Sequence, residues 1–172
     1  AIGTAAEFPA TAGVVAALII NQAGANGSPR TLQLPGSRQV SSLTVQSGRL
    51  DLNGNRFSVT GNTDLSGGLT MTQNLGGVNT TVSTAIASSV AGARLAFEGT
   101  ADADLIVGST GGSRGFVVPV NVDIELDKGT ETTKVTLQGG FLDFAANSDP
   151  LNAGGDRLLY LDRGILVAGT PA

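Results

Sequence analysis

The segment SLTVQSGRLDLNGNRFSVTGN, Ser42 to Asn62, carries apolar pairs at Leu43/Val45, Leu50/Leu52 and Phe57/Val59. The pairs start at positions 43, 50 and 57, a seven-residue beat. A heptad has that spacing too, but this is no coiled coil. Gly48, Gly54, Gly61, Gly67 and Gly68 would break a helix, and the flanking charges of a coiled-coil seam are missing. Within each pair the residues are two apart, which is the strand period. The beat therefore predicts short strands joined by tight corners or hairpins. A β-solenoid and an antiparallel meander both produce it.

The beat reaches outward in weakened form. TLQL, Thr31 to Leu34, ends at the Pro35-Gly36 turn, and the alternation returns at Leu69/Met71. The last third changes style. Val118, Val120, Val122, Ile124 and Leu126 fall on one face of an extended run, with Asn121, Asp123, Glu125 and Asp127 on the other. The turn DKGTE separates this run from TTKVTL, a hairpin signal. RLLYLDRGILVAG reads as a second hairpin turning at Asp162-Arg163-Gly164. Pro119 near the start of its run hints at an edge strand. One short helix is conceivable over Ala85–Val90, capped by Ser83 and ended by Gly92. The expected fold is all-β: a solenoid-like or meandering short-strand first half, and a second half of antiparallel hairpins, sandwich- or jelly-roll-like.

A chain of 172 residues fits a single domain. Residues 1–27 are a candidate separable N-terminal arm, because the apolar run VVAALII, Val14 to Ile20, is followed by the loop-like GANGSPR. Val14, Val15, Ile19 and Ile20 are β-branched and favour a strand, while Ala16, Ala17 and Leu18 favour a helix. Read as a strand, Val14, Val15, Leu18, Ile19 and Ile20 are candidate assembly residues that could add to a neighbour's sheet. They could equally form the first core strand of their own domain. The run is far shorter than a membrane span. A chain that opens on Ala1 fits removal of an initiator Met or of a signal peptide.

Composition narrows the chemistry. The chain has no His and no Cys, which removes His-based hydrolytic triads, thiol catalysis, disulfides and His/Cys zinc sites. Lys128 and Lys134 are the only candidates for a Ser–Lys dyad, and both fall around an expected exposed turn. The carboxylates Asp102/Asp104 and Asp123/Glu125/Asp127 could serve a glycosidase, but alternation marks them as the solvent face of half-buried strands. No cofactor is expected. Calcium stays open at Asp102 and Asp104, and at Asp149, Asn152 and Asp156, where oxygen-rich loops lack the spacing of known calcium motifs. GSTGGSRGF lacks the Lys of a phosphate loop. The sparse Arg and Lys form no basic patch, so nucleic acid is not an expected partner.

The pieces SSLTVQSGRLDLNGNRFSVTGN and DLSGGLTMT, within residues 42–71, resemble the rungs of bacterial autotransporter and filamentous-haemagglutinin-like β-helices. That resemblance covers under a fifth of the chain. It implies a surface setting and carries over no functional residue. Few charges, and only two Lys, leave strand edges poorly defended against pairing. The expectation is a non-enzymatic structural subunit that assembles with copies of itself into an extracellular filament, tube or surface coat. The alternatives are a virus capsid decoration protein and an adhesin module of a larger surface protein. Partners would then be a capsid or cell-surface component.

Overall fold

The computed structural model describes residues 16–22, 31–67, 70–75, 78–83, 85–107, 114–118, 121–140, 142–144 and 158–168. Its strands follow one another around a coil. The first coil holds β1 (Leu18–Asn21), β2 (Thr31–Gln33) and β3 (Arg38–Val40). The second holds β4 (Leu43–Ser47), β5 (Arg49–Asp51) and β6 (Arg56–Val59). The third holds β7 (Thr63–Asp64), β8 (Thr70–Leu75), β9 (Val78–Ser83), β10 (Ile86–Ala87) and β11 (Ala93–Phe97). The fourth holds β12 (Ala103–Ile106), β13 (Arg114–Val117) and β14 (Val122–Asp127). β15 (Lys134–Gln138), β16 (Leu142–Asp143) and β17 (Leu159–Arg163) follow, and β18 (Ile165–Ala168) begins one more turn.

Equivalent strands of successive coils stack in parallel. Sheet I runs β1-β4-β7-β12-β15-β18, sheet II β10-β5-β2, and sheet III β17-β14-β11-β6-β3. All three are parallel throughout. Sheet IV runs β16-β13-β9-β8, and its β8–β9 pair is the one antiparallel pairing among the described strands. The seven-residue beat is now explained. Leu43/Val45, Leu50/Leu52 and Phe57/Val59 are the inward pairs on three successive sides of one coil, and all six are fully buried. Burying each such side chain is worth about 1.5–3 kcal/mol. The corners between sides fall at Gly48 (φ 91°), at Asn53 (φ 50°) with Gly54 (φ 74°), and at Gly61.

This architecture overturns the expected antiparallel, sandwich- or jelly-roll-like second half. β14 and β15 flank the DKGTE turn, yet they do not pair. β14 pairs in parallel with β11 and β17, and β15 with β12 and β18. β17 and β18 flank Gly164 (φ 108°) and also lie in different sheets. The physical reason is that a coil corner and a hairpin turn make the same local demands. Both need a Gly-bearing reversal between two alternating runs. The difference lies in which distant strand takes up the backbone hydrogen bonds. The run from Val118 to Leu126 is also not one strand: Asn121 (φ 68°) turns a corner between Val118 and β14. No helix occurs among the described residues. The stretch expected to be helical is β10 followed by turns, with Ala85 and Ile86 inside the core. Pro119 lies outside the described residues.

The coils are stitched at the corner from sheet III to sheet I. That corner reads Thr60-Gly61, Glu98-Gly99, Lys128-Gly129 and Arg163-Gly164 in successive coils. The Gly129 N–H donates to the Gly99 carbonyl at 2.8 Å, and the Lys128 N–H to the Arg163 carbonyl at 2.9 Å. A Cβ on Gly99 (φ 88°) would meet the Thr60 carbonyl oxygen at 2.9 Å, so this corner packs on the backbone of the one beneath.

Candidate assembly surface

In sheet III the inward columns show how burial depends on position in the stack. One column is Phe57, Leu95, Ile124, Leu159, and the next is Val59, Phe97, Leu126, Leu161. The first three members of each are buried. Leu159 is 38% exposed and Leu161 61%, although they occupy the same inward phase as Ile124 at 3% and Leu126 at 2%. Ile165 beside them on β18 is also exposed. β17 and β18 are the last strands of sheets III and I. This end of the stack thus presents core-phase leucines together with strands that have one neighbour instead of two among the described strands.

The first coil differs. Leu18, Ile20, Leu32, Leu34 and Val40 are all buried. Of the candidate assembly residues, Leu18 and Ile20 face the chain's own core on β1, which pairs with β4, and Ile19 points outward at 55% exposure. Val14 and Val15 lie outside the described residues.

Of the carboxylates singled out from sequence, Asp102, Asp123 and Glu125 are taken up in links between coils. Asp102 accepts the Lys134 N–H at 2.8 Å, and Asp123 accepts the Leu158 N–H at 3.0 Å. Asn62 Oδ1 accepts the Asp104 N–H at 3.0 Å. Glu125 is buried beneath Arg56 and Arg94, and Arg94 lies 3.3 Å from it. Arg56 also reaches Glu98 at 2.5 Å, whose carboxylate accepts from Ser58 at 3.1 Å and Gln39 at 2.8 Å. Burial opposes ionisation of Glu98, but these donors outweigh it and hold its carboxyl below the usual range. Arg56 is held above its usual value by the same two carboxylates, against its own burial. The Arg94 guanidinium covers the Tyr160 ring, 4.0 Å from its centroid. This row ties all five strands of sheet III together on its outer face. Sequence reasoning missed it because its members are separated by whole coils.

Lys128 is a correction as well. It was expected on an exposed turn and is fully buried, its ammonium donating to the carbonyls of Thr60 and Glu98 at the corners below. Burial pushes the ammonium below its usual pKa, and Asp102 and Glu98 pull the other way. Lys134 is exposed as expected. Asp149, Asn152 and Asp156 lie outside the described residues. Among the described residues no three carboxylates gather as a metal site would require, and no helix is long and apolar enough to cross a membrane.

No protein-family model matches this chain, and no curated protein or solved structure matches it.

Proposed function

We propose that this chain is a structural subunit of an extracellular or cell-surface assembly, one that associates with copies of itself through the β17–β18 end of its coil stack. The observation that carries this reading is the exposure of Leu159 and Leu161 in columns whose other apolar members are buried. A coil's inward residues are covered by the coils above and below it, so an uncovered terminal coil loses part of the stabilisation its leucines provide elsewhere. The edge of β18, ILVA, carries no charge or proline and adds backbone groups that a neighbour can pair with. The composition, rich in Thr, Asn and Gly and poor in charge, supports a surface setting. Donation of the N-terminal strand is not needed, since Leu18 and Ile20 already serve this chain's own core.

The test is the native mass of the purified chain by light scattering across a wide concentration range. The expected result is a species heavier than 17.2 kDa that Leu161→Lys returns to the monomer. A wild-type monomer at every concentration would overturn self-association and turn attention to a monomeric binding module.

A further inference from the structure

The corner between β5 and β6 carries the dipeptide Asn53-Gly54. Asn-Gly is the most reactive setting for loss of a side-chain amide, because no side chain on the Gly hinders attack by its nitrogen. That nitrogen bonds to the Asn Cγ, the bond from Cγ to Nδ2 breaks, and ammonia leaves with the proton of the Gly N–H. Water then opens the cyclic imide to aspartate or isoaspartate. We propose that Asn53 is a latent deamidation site: the first and third coils hold it unreactive, and local opening of this corner converts it permanently. The proposal is independent of self-association.

Both reacting groups are held by other coils. From the first coil, the Leu34 carbonyl accepts Asn53 Nδ2 at 3.2 Å and Asn55 Nδ2 at 3.4 Å. From the third coil, Ser88 Oγ accepts the Gly54 N–H at 3.0 Å. Ser88 is itself fixed: it is buried, and its hydroxyl donates to the Val90 carbonyl at 2.6 Å. Attack requires the Gly54 nitrogen to lose its proton and turn toward Cγ, so these bonds must break first. Asp51 opposes the reaction as well. Its carboxylate accepts the Asn53 N–H at 2.9 Å and sets negative charge near a nitrogen that must become anionic. Asn121 offers a contrast: it too has a positive φ, 68°, but Val122 follows it, and a branched side chain crowds the attack. Conversion at Asn53 also closes the way back. A carboxylate at position 53 would face the Leu34 carbonyl with no donor between them, close to Asp51. Isoaspartate would add a backbone carbon to a corner whose flanking strands are registered on β2, β10, β3 and β11.

Peptide mapping by mass spectrometry reads conversion at each Asn during incubation in mildly alkaline buffer. The chain's other Asn-Gly, Asn26-Gly27, supplies the reference rate in guanidinium chloride, where the two sites are expected to convert alike. In native buffer Asn53 is expected to convert roughly a hundredfold or more slowly than in denaturant, because only molecules with the corner open react. This comparison needs no variant to fold. Ser88→Ala frees the Gly54 N–H and should speed native conversion at Asn53 by about fivefold to tenfold. Val135→Ala truncates a buried residue of β15, away from this corner, and should speed it less for the same loss of urea midpoint. Asn53→Asp, which carries the charge that deamidation leaves, should lower that midpoint. Circular dichroism checks that each variant folds. Native conversion as fast as in denaturant overturns the protection. Equal acceleration by Val135→Ala and Ser88→Ala overturns the local hold, and an unchanged midpoint in Asn53→Asp overturns the lasting consequence.

Discussion

The second coil and the last strands are built from the same kind of sequence and end in opposite situations. RFSV in β6 and LYLD in β17 each place two apolar residues on the inward face of sheet III. Phe57 and Val59 are fully buried, while Leu159 and Leu161 are not. Among the described strands, β6 has a neighbour on each side in sheet III and β17 has one. In a coil stack a side chain is covered by its neighbours along the axis, and local sequence decides only which way it points. The sharpest way to break the comparison is to truncate one residue of each kind. Phe57→Ala should cost about 3–5 kcal/mol, read from the urea midpoint, because it opens a cavity between two coils. Leu159→Ala, in the same column, should cost well under half of that. Equal losses would mean that the terminal coil is as closely packed as the interior.

What could be read from the sequence follows the same division. Inward and outward phases were legible wherever two-residue alternation was strong, as in Leu43/Val45 or Ile124/Leu126. Corner positions were legible at Gly48, Gly54 and Gly164. Strand partners were not. Val122–Asp127 and Lys134–Gln138 look like a hairpin because alternation and a Gly turn are all that a local pattern contains. The register that joins Ile124 to Leu95 and Leu159 is a long-range choice. Burial of Lys128 was hidden for the same reason: the carbonyls that receive its ammonium belong to Thr60 and Glu98, one and two corners away. The candidate surface at β17 was visible as apolar residues. Its exposure depends on its position in the stack, which no local pattern contains.

Corners offer a second contrast inside the stack. Gly99 and Gly92 both have a positive φ, 88° and 84°. A Cβ on Gly99 would strike the Thr60 carbonyl oxygen at 2.9 Å, whereas one on Gly92 would have nothing within 4 Å. Gly92→Ala should therefore lose about 1 kcal/mol, the backbone cost alone. Gly99→Ala should lose roughly 2–3 kcal/mol, because the coil below must also give way. If the two melt alike, the corners are not in contact along the axis.

Asp51 extends the comparison to polar stitching. It accepts hydrogen bonds from the Asn53 N–H at 2.9 Å, the Ser89 N–H at 3.0 Å, Ser89 Oγ at 2.9 Å and Gln33 Nε2 at 3.0 Å, so it joins three coils. Burial alone would raise its pKa, but these donors prevail and hold the carboxyl below its ordinary 3.8. A lowered folded-state pKa gives stability that is present in full above the ordinary value and is lost as pH falls through the folded one. Asp51→Asn should thus cost about 1 kcal/mol at pH 7, and the gap from wild type should close in acid below pH 3.8. Glu98 titrates in both proteins and cancels from the difference. A gap that stays constant down to strong acid would show that the charge of Asp51 contributes nothing.

The smallest expected effect lies at the open end. Leu161 and Asp162 touch little in the single chain, so Leu161→Ala and Asp162→Asn should each move the urea midpoint of dilute protein by less than about 0.5 kcal/mol. Under the self-association proposed above, Leu161→Ala should weaken association measurably, because it removes exposed apolar surface from the β17 end. Stability that falls with dilution in the wild type, and no longer does so in Leu161→Ala, is the signature of a terminal coil completed by a partner. Should Leu161→Ala instead destabilise the dilute monomer as much as Leu126→Ala does, position 161 belongs to the interior. Its exposure would then reflect a fluctuation of the last coil, and the contrast between the two ends of the stack would disappear.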